Sequence, residues 1–179
     1  MTNGLLGIFI EHTYSRSDFA YRISLLREFL EFIFFTKHDA RVGNDAIEQF
    51  TAYSKKSVAD IAFLRTLPPS FLEAFTQESF YEILNRLSEE SKQLKILSLT
   101  VPVIFARADI DALGSWAREA IGPDLLIEID VDPAIAVGCH VAWNNQLHDF
   151  SFDHYLRKSQ TALHEKITQR TQSAVVARS

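Results

Sequence analysis

The chain has 179 residues, 47% of them hydrophobic and 23% charged, and a formal net charge of −5. This composition is typical of a globular chain of one domain or two small ones, and it excludes intrinsic disorder. The net negative charge excludes the basic surface of a nucleic-acid-binding protein. Because Cys139 is the single cysteine, an internal disulfide is excluded and a reducing compartment is indicated.

The N-terminal half predicts helices. Residues 5–10 form an apolar run that is too short to cross a membrane and lacks a basic leader, so it predicts a short helix or an extended arm. Apolar residues at helical spacing predict three longer helices, at residues 17–36, 45–66 and 77–94. Pro68 and Pro69 end the second of them, and a short helical piece is predicted to follow.

The first long helix is apolar around much of its circumference. One stripe of it consists of Phe19, Ile23, Leu26 and Leu30. A helix of this kind is either central to a bundle or covered by a partner. Burial in a bundle is the favoured interpretation, and the alternative makes these four side chains candidate partner-binding residues.

The C-terminal half predicts a small sheet with two helices. The predicted strands cover residues 96–105, 125–131, 135–143 and 146–149, and the predicted helices cover 109–121 and 151–168. Pro102 places the first strand at an edge or at a bulge. A tight turn is predicted at Asn144 and Asn145, since asparagine tolerates positive φ.

The predicted fold is therefore α+β, with a helical N-terminal bundle at residues 1–95 and a small α/β domain at 96–179. The last helix is amphipathic and precedes a frayed tail; its apolar stripe consists of Phe152, Leu156, Leu163 and Ile167. If the inner end of this stripe, at Leu156, packs on the strands, Leu156→Ala should lower the free energy of unfolding by about 2 to 5 kcal/mol. Leu163 and Ile167, at the outer end, are the second set of candidate partner-binding residues.

The sequence predicts no catalytic site, no metal and no cofactor. Cys139 and His140 are neighbours on a predicted strand and would point to opposite faces, so Cys139 is interpreted as a small buried hydrophobic residue. His148 and His154 are six residues apart, which matches no metal-binding spacing. There is no glycine-rich phosphate loop, dinucleotide fingerprint or nucleophile elbow. A small enzyme that uses Cys139 or His140 is an alternative.

Several residues of the C-terminal half carry a resemblance to a known family. They are Asp132, Pro133 and Gly138, then a predicted hairpin, and then Asp149 and Ser151 at the start of a helix. The order and spacing of these residues resemble the C-terminal signature of the ATP synthase delta subunit, called the oligomycin-sensitivity-conferring protein in mitochondria. This chain has Val137 and Phe150 where the family usually has glycines, and the resemblance covers about the C-terminal half.

The resemblance implies a non-catalytic stator subunit in the peripheral stalk of an F-type ATP synthase, in the F1 sector. In that family the helical domain holds the α subunits of the catalytic head and the second domain holds the b subunit, so that proton transport is coupled to ATP synthesis. The resemblance also implies that the partners are the α and b subunits and that the chain forms no homo-oligomer. It further implies a peripheral position on the cytoplasmic face of the bacterial cell membrane. The helical part here is shorter than the family's six-helix bundle and lacks its usual opening Tyr-Ala motif.

Two further alternatives stay open. One is an adaptor or interaction protein unrelated to ATP synthase. The other is a stalk subunit of a rotary ATPase of the vacuolar or archaeal type.

Overall fold

The structure is a computed structural model. It describes residues 4–36 and 44–160, together with residues 164 and 167. The chain has an α+β fold with helices and one small mixed sheet, which confirms the predicted fold class. It divides into two compact units, which are residues 1–96 with 106–128, and residues 97–105 with 129–179.

The helices follow the predicted order. Helices α1 to α7 are Leu5–Glu11, Arg16–Glu31, Asn44–Ser54, Val58–Thr66, Pro69–Leu72, Phe80–Ser91 and Arg107–Ile121. Helix α2 continues as a turn of π-helix, Phe32–Thr36. Residues 152–160 form α8, and residues 164 and 167 are also helical. The rest of the predicted helix over 151–168 lies outside the described residues.

The predicted helix over residues 45–66 is in fact two helices. Lys55 has a φ of 51°, which takes the chain out of the helical conformation. Helix α4 then begins with a capping box, in which Ser57 Oγ accepts from the Asp60 amide at 3.2 Å and Asp60 Oδ2 accepts from the Ser57 amide at 3.1 Å. The prediction of one helix was wrong because the four polar residues 54–57 hold the break and the capping box that starts a new helix.

The four strands lie in the order β2-β1-β3-β4. Strands β1 to β4 are Lys95–Val101, Leu125–Val131, His140–Trp143 and Gln146–Asp149. Strand β3 pairs antiparallel with both β1 and β4. Asn144 and Asn145 have φ values of 49° and 60°, so the predicted tight turn between β3 and β4 is confirmed.

Two strand predictions need correction. Strand β1 is an interior strand that ends at Val101, so Pro102 follows it and its missing N–H removes no bond from the ladder. The strand predicted over residues 135–143 begins only at His140. Pro133–Ile135 is a turn of 3₁₀-helix, and Ala136 has a φ of 56°, which is incompatible with a strand.

The core of the first unit is rich in phenylalanine. The ring of Phe9 is fully buried and meets the rings of Phe19 and Phe63 edge-on, at centroid distances of 5.1 Å and 5.4 Å. It also stacks on Phe71 at 6.2 Å. Such pairs contribute roughly 0.5 to 1.5 kcal/mol each beyond their buried area, so Phe9 fixes α1 to α2, α4 and α5.

The first unit also contains α7, which the predicted boundary between residues 95 and 96 assigns to the second domain. The guanidinium of Arg118 donates to the carbonyl oxygens of Leu125 at 3.0 Å and Ile10 at 2.8 Å. It lies 4.6 Å from the ring centroid of Tyr14, and burial lowers the pKa of Arg118. These contacts are the physical reason that residues 106–128 belong with the N-terminal helices.

The second unit buries a smaller apolar set. It consists of Leu97, Leu99, Val101 and Ile135, each at most 8% exposed. Across the described ranges, 4–36 and 44–160 with residues 164 and 167, no helix has the length and apolar character that crossing a membrane requires.

Candidate partner-binding sites

The residues that carry the family resemblance lie together in the second unit. Asp132 Oδ1 accepts from the Ala134 amide at 2.9 Å, which caps the 3₁₀ turn that Pro133 begins. Proline suits the first position of such a turn because its missing N–H would have no partner there. Asp132 and Pro133 therefore end β2 and redirect the chain.

Gly138 lies where the loop before β3 meets the chain that enters α8. Its φ is 98°, and a Cβ atom built on it would lie 2.3 Å from the Phe150 carbonyl oxygen and 2.8 Å from Ser151 Cα. Both the positive φ and the lack of room beside Phe150 and Ser151 exclude a side chain at this position. The Phe150 amide donates to the Cys139 oxygen and the Phe152 amide to the Val137 oxygen, each at 2.9 Å, which fixes this close approach.

Asp149 and Ser151 start α8. Asp149 Oδ1 accepts from the Ser151 amide at 2.8 Å, and Ser151 Oγ accepts from the His154 amide at 3.2 Å. Ser151 is 4% exposed and is the N-cap of α8. Hydrogen bonds from the hydroxyl and the amide of Ser151 hold the pKa of Asp149 below its ordinary value. We call these five residues, Asp132, Pro133, Gly138, Asp149 and Ser151, the hairpin–helix joint.

A pocket of about 300 Å³ lies beside the joint. His140 Nε2 lies 3.3 Å from Asp149 Oδ1, and His154 Nδ1 lies 3.8 Å from Asp149 Oδ2. His148, which the sequence analysis considered with His154, instead stacks on Phe150 at 6.2 Å. Among the described residues no group of three or more histidine, cysteine or acidic side chains is placed to hold a metal ion.

The pairing of His140 with Asp149 was not predicted. The signal for it is the two-residue turn at Asn144 and Asn145, because such a turn fixes the register of the hairpin. That register places Trp143 opposite Gln146 and His140 opposite Asp149. Cys139 lies before β3 and is partly exposed, so its interpretation as a buried hydrophobic residue was wrong.

The two sets of candidate partner-binding residues have different environments. Phe19, Ile23, Leu26 and Leu30 are at most 7% exposed, so they form the core of the first unit and leave no surface for a partner. Their burial agrees with the favoured interpretation of a bundle helix, and it follows from the packing of α1, α4 and α6 around α2.

The described residues of the predicted C-terminal stripe face solvent. On α8, Phe152 and Leu156 are exposed by 56% and 42%, and Ile167, which lies beyond the end of α8, is exposed by 56%. Leu163 lies outside the described residues. The prediction that Leu156 packs on the strands was wrong, because helical spacing shows which side chains share a face and not whether that face is covered.

Comparisons with known proteins give similarity to solved structures only. No protein-family model matches the sequence, and no curated protein matches it. A chain in the cryo-EM structure of the Toxoplasma gondii mitochondrial ATP synthase hexamer is similar to this chain, with 12% sequence identity and a TM-score of 0.33. The match covers 90% of this chain and 98% of that chain.

Proposed function

We propose that the protein is a non-catalytic stator subunit of a bacterial F-type ATP synthase. It would lie in the peripheral stalk, between the α subunits of the catalytic head and the b subunit, on the cytoplasmic face of the membrane. The observation that carries the proposal is the hairpin–helix joint. The residues that resemble the delta-subunit signature come together in one unit, and each has a structural role there, as cap, turn or close backbone contact.

The geometry of the joint suits a subunit that carries force. A stator subunit must keep the catalytic head from turning with the rotor, so its partner-binding helix must be held firmly at its base. Here Asp149 and Ser151 cap the first turn of α8, and Gly138 allows the backbone hydrogen bonds that fix its entry. This arrangement supports α8 as the element through which the second unit transmits load.

The exposed stripe on α8 supports a b-subunit contact at that helix. Phe152 and Leu156 on α8, and Ile167 beyond its end, are exposed apolar side chains. Large apolar side chains that are exposed in the free protein and share a helix face are typical of sites that dock a partner helix. The proposal assigns this stripe to the b subunit, and it assigns no catalytic group, metal or cofactor to the protein.

Co-purification tests the proposal. The full chain is co-expressed with the α and b subunits of the ATP synthase of the same genome, and both should co-purify with it. The double variant Leu156→Ala, Ile167→Ala should lose b and retain α, because it removes exposed apolar side chains of the second unit alone. The matched control is Val58→Ala, an exposed apolar residue of the first unit, which should retain both partners.

Other outcomes would contradict it. If neither α nor b co-purifies, the protein is not a stator subunit, and an unrelated adaptor becomes the better assignment. If b is retained by the double variant, the stripe on α8 is not its binding surface. ATP hydrolysis by the purified full chain would contradict the absence of an active site.

A further inference from the structure

A groove of about 860 Å³ lies on the first unit, between the end of α2, helix α3 and the start of α6. Its floor consists of Phe32 and Phe50, which are 6% and 1% exposed and whose ring centroids are 5.6 Å apart. Phe32 belongs to the π-helical turn that extends α2. We call this feature the aromatic groove. Single π-helical turns are frequent at functional sites.

Three aromatic side chains at the groove are open to solvent. Phe35, Tyr53 and Tyr81 are exposed by 50%, 67% and 45%. The ring of Tyr53 lies 4.9 Å from that of Phe32, so the exposed rim continues into the buried floor. Small-molecule sites enclose roughly 70 to 90% of a ligand's surface, and this open groove does not. Open aromatic surface is typical of the central part of a protein–protein contact.

The charged residues that line the aromatic groove are Glu28, Glu31 and Lys56, which give its rim one net negative charge. Glu28 and Glu31 are one turn apart on α2 and lie on the same face. Lys56 Nζ lies 2.7 Å from Glu28 Oε2, which neutralises the first carboxylate. Glu31 Oε1 accepts from the Tyr81 hydroxyl at 2.9 Å, and this hydrogen bond raises the pKa of Tyr81. Because the tyrosine is neutral, the charge of Glu31 remains and favours a cation.

We propose that the aromatic groove binds an amphipathic helix of a partner chain. An apolar side chain of that helix would lie over Phe32 and Phe50, and a lysine or arginine would pair with Glu31. This inference concerns the first unit alone and does not depend on the stator function. A second copy of this chain is the less favoured occupant, because two copies with net charge −5 repel each other.

Two synthetic peptides test the proposal with the full chain. Both are about 18 residues long, which is enough for a helix to form on binding, and both carry the same leucine and phenylalanine stripe. One has lysines beside the stripe and the other has glutamates. By titration calorimetry the lysine peptide should bind at least about tenfold more tightly, since only it complements the acidic rim.

Two variants locate the site. Tyr53→Ala should weaken binding of the lysine peptide about tenfold or more, and Glu31→Gln should weaken it by roughly three- to tenfold while leaving the residual affinity for the glutamate peptide unchanged or higher. Thermal melting of both variants checks that the fold is intact. The control is Tyr155→Ala, an aromatic residue of the second unit that is 52% exposed, and it should bind like the unaltered chain.

The proposal is overturned if neither peptide binds, if the two bind equally, or if both groove variants bind like the control. Concentration-dependent dimerisation of the full chain that Tyr53→Ala abolishes would also overturn it, because the groove would then be an interface between two copies.

Discussion

The backbone at Gly138 leaves no room for a side chain, so this residue gives a sharp test of the hairpin–helix joint. Gly138→Ala should destabilise the second unit by roughly 2 to 4 kcal/mol, from strain at positive φ and from overpacking against Phe150. Urea unfolding measures the change. The control is Gly4→Ala, where φ is also positive, at 63°, but no described atom lies within 4 Å of the added Cβ. If the two substitutions lower the free energy of unfolding equally, the close approach of Phe150 to Gly138 does not contribute to the effect.

Asp149 makes the stability of the second unit depend on pH. Hydrogen bonds from Ser151 lower its pKa in the folded chain, whereas the unfolded value is about 3.9. The folded chain therefore binds fewer protons, so the contribution is present above that unfolded value and is lost as the pH falls through the folded pKa.

Asp149→Asn should remove this pH dependence. The free-energy difference between the unaltered chain and the variant should be largest near about pH 6 and should shrink towards about pH 3. Urea unfolding at several pH values measures it. A difference that stays constant over this range would show that the carboxylate charge contributes nothing to the joint.

The predictability of the candidate site differs from residue to residue. Asp132, Asp149 and Ser151 were identified through the order and spacing of a family signature, and each acts as a cap or in a turn with neighbours within three residues. The burial of Phe19 and Leu30 was left open because it depends on which helices pack around α2. The environment of Glu31 beside Tyr81 joins residues fifty positions apart, and no local pattern in the sequence indicates it.

At the scale of elements, α7 gives a case in which two effects of one substitution oppose each other. In an exposed helix interior, Gly→Ala stabilises by about 0.5 to 1 kcal/mol. At Gly114, however, the new Cβ would lie 2.4 Å from Tyr14 Cβ, which cannot move without the backbone. Overpacking of this kind costs about 1 to 3 kcal/mol, so we expect Gly114→Ala to be destabilising on balance.

Urea unfolding of the Gly114→Ala variant checks the sign. Ser115→Ala, the next residue on the same helix, is the control and should be neutral or slightly stabilising, since alanine has the higher helix propensity. Stabilisation by Gly114→Ala would mean that α7 does not pack tightly on Tyr14.

The elements themselves were predicted well where the signal is local. Asn144 and Asn145 gave the turn between β3 and β4, and Pro68 with Pro69 gave the end of α4. The errors occur at Lys55 and Ala136, which adopt positive φ although neither residue type indicates it. Around Ala136 the apolar pattern continues without interruption, and around Lys55 apolar residues resume after the four polar residues 54–57, so the pattern joined segments that the backbone separates.

For the whole molecule, the main feature is that the two compact units are interleaved along the chain. The first unit needs residues 106–128, because Arg118 binds the Ile10 carbonyl oxygen and the Ile127 amide donates to the Tyr14 carbonyl oxygen at 2.9 Å. A fragment of residues 1–95 should therefore unfold at a lower urea concentration than the first unit does in the full chain.

Fluorescence of a dye that binds exposed apolar surface provides a second measurement, and the fragment should bind more of it. The control is the full chain with Gly138→Ala, in which the first unit keeps all of its segments. A fragment as stable as the first unit of the full chain would show that residues 106–128 add little to it.

The same interleaving delays folding during protein synthesis. A helical domain that ended at residue 95 would be complete as soon as that residue had left the ribosome. Here the first unit also requires the chain up to residue 128, about 33 residues later. At elongation rates of about 5 to 20 residues per second, the wait lasts roughly 2 to 7 seconds. During that time the surface that α7 will cover is open to chaperones, so the nascent chain is most exposed to them before its second unit has been made.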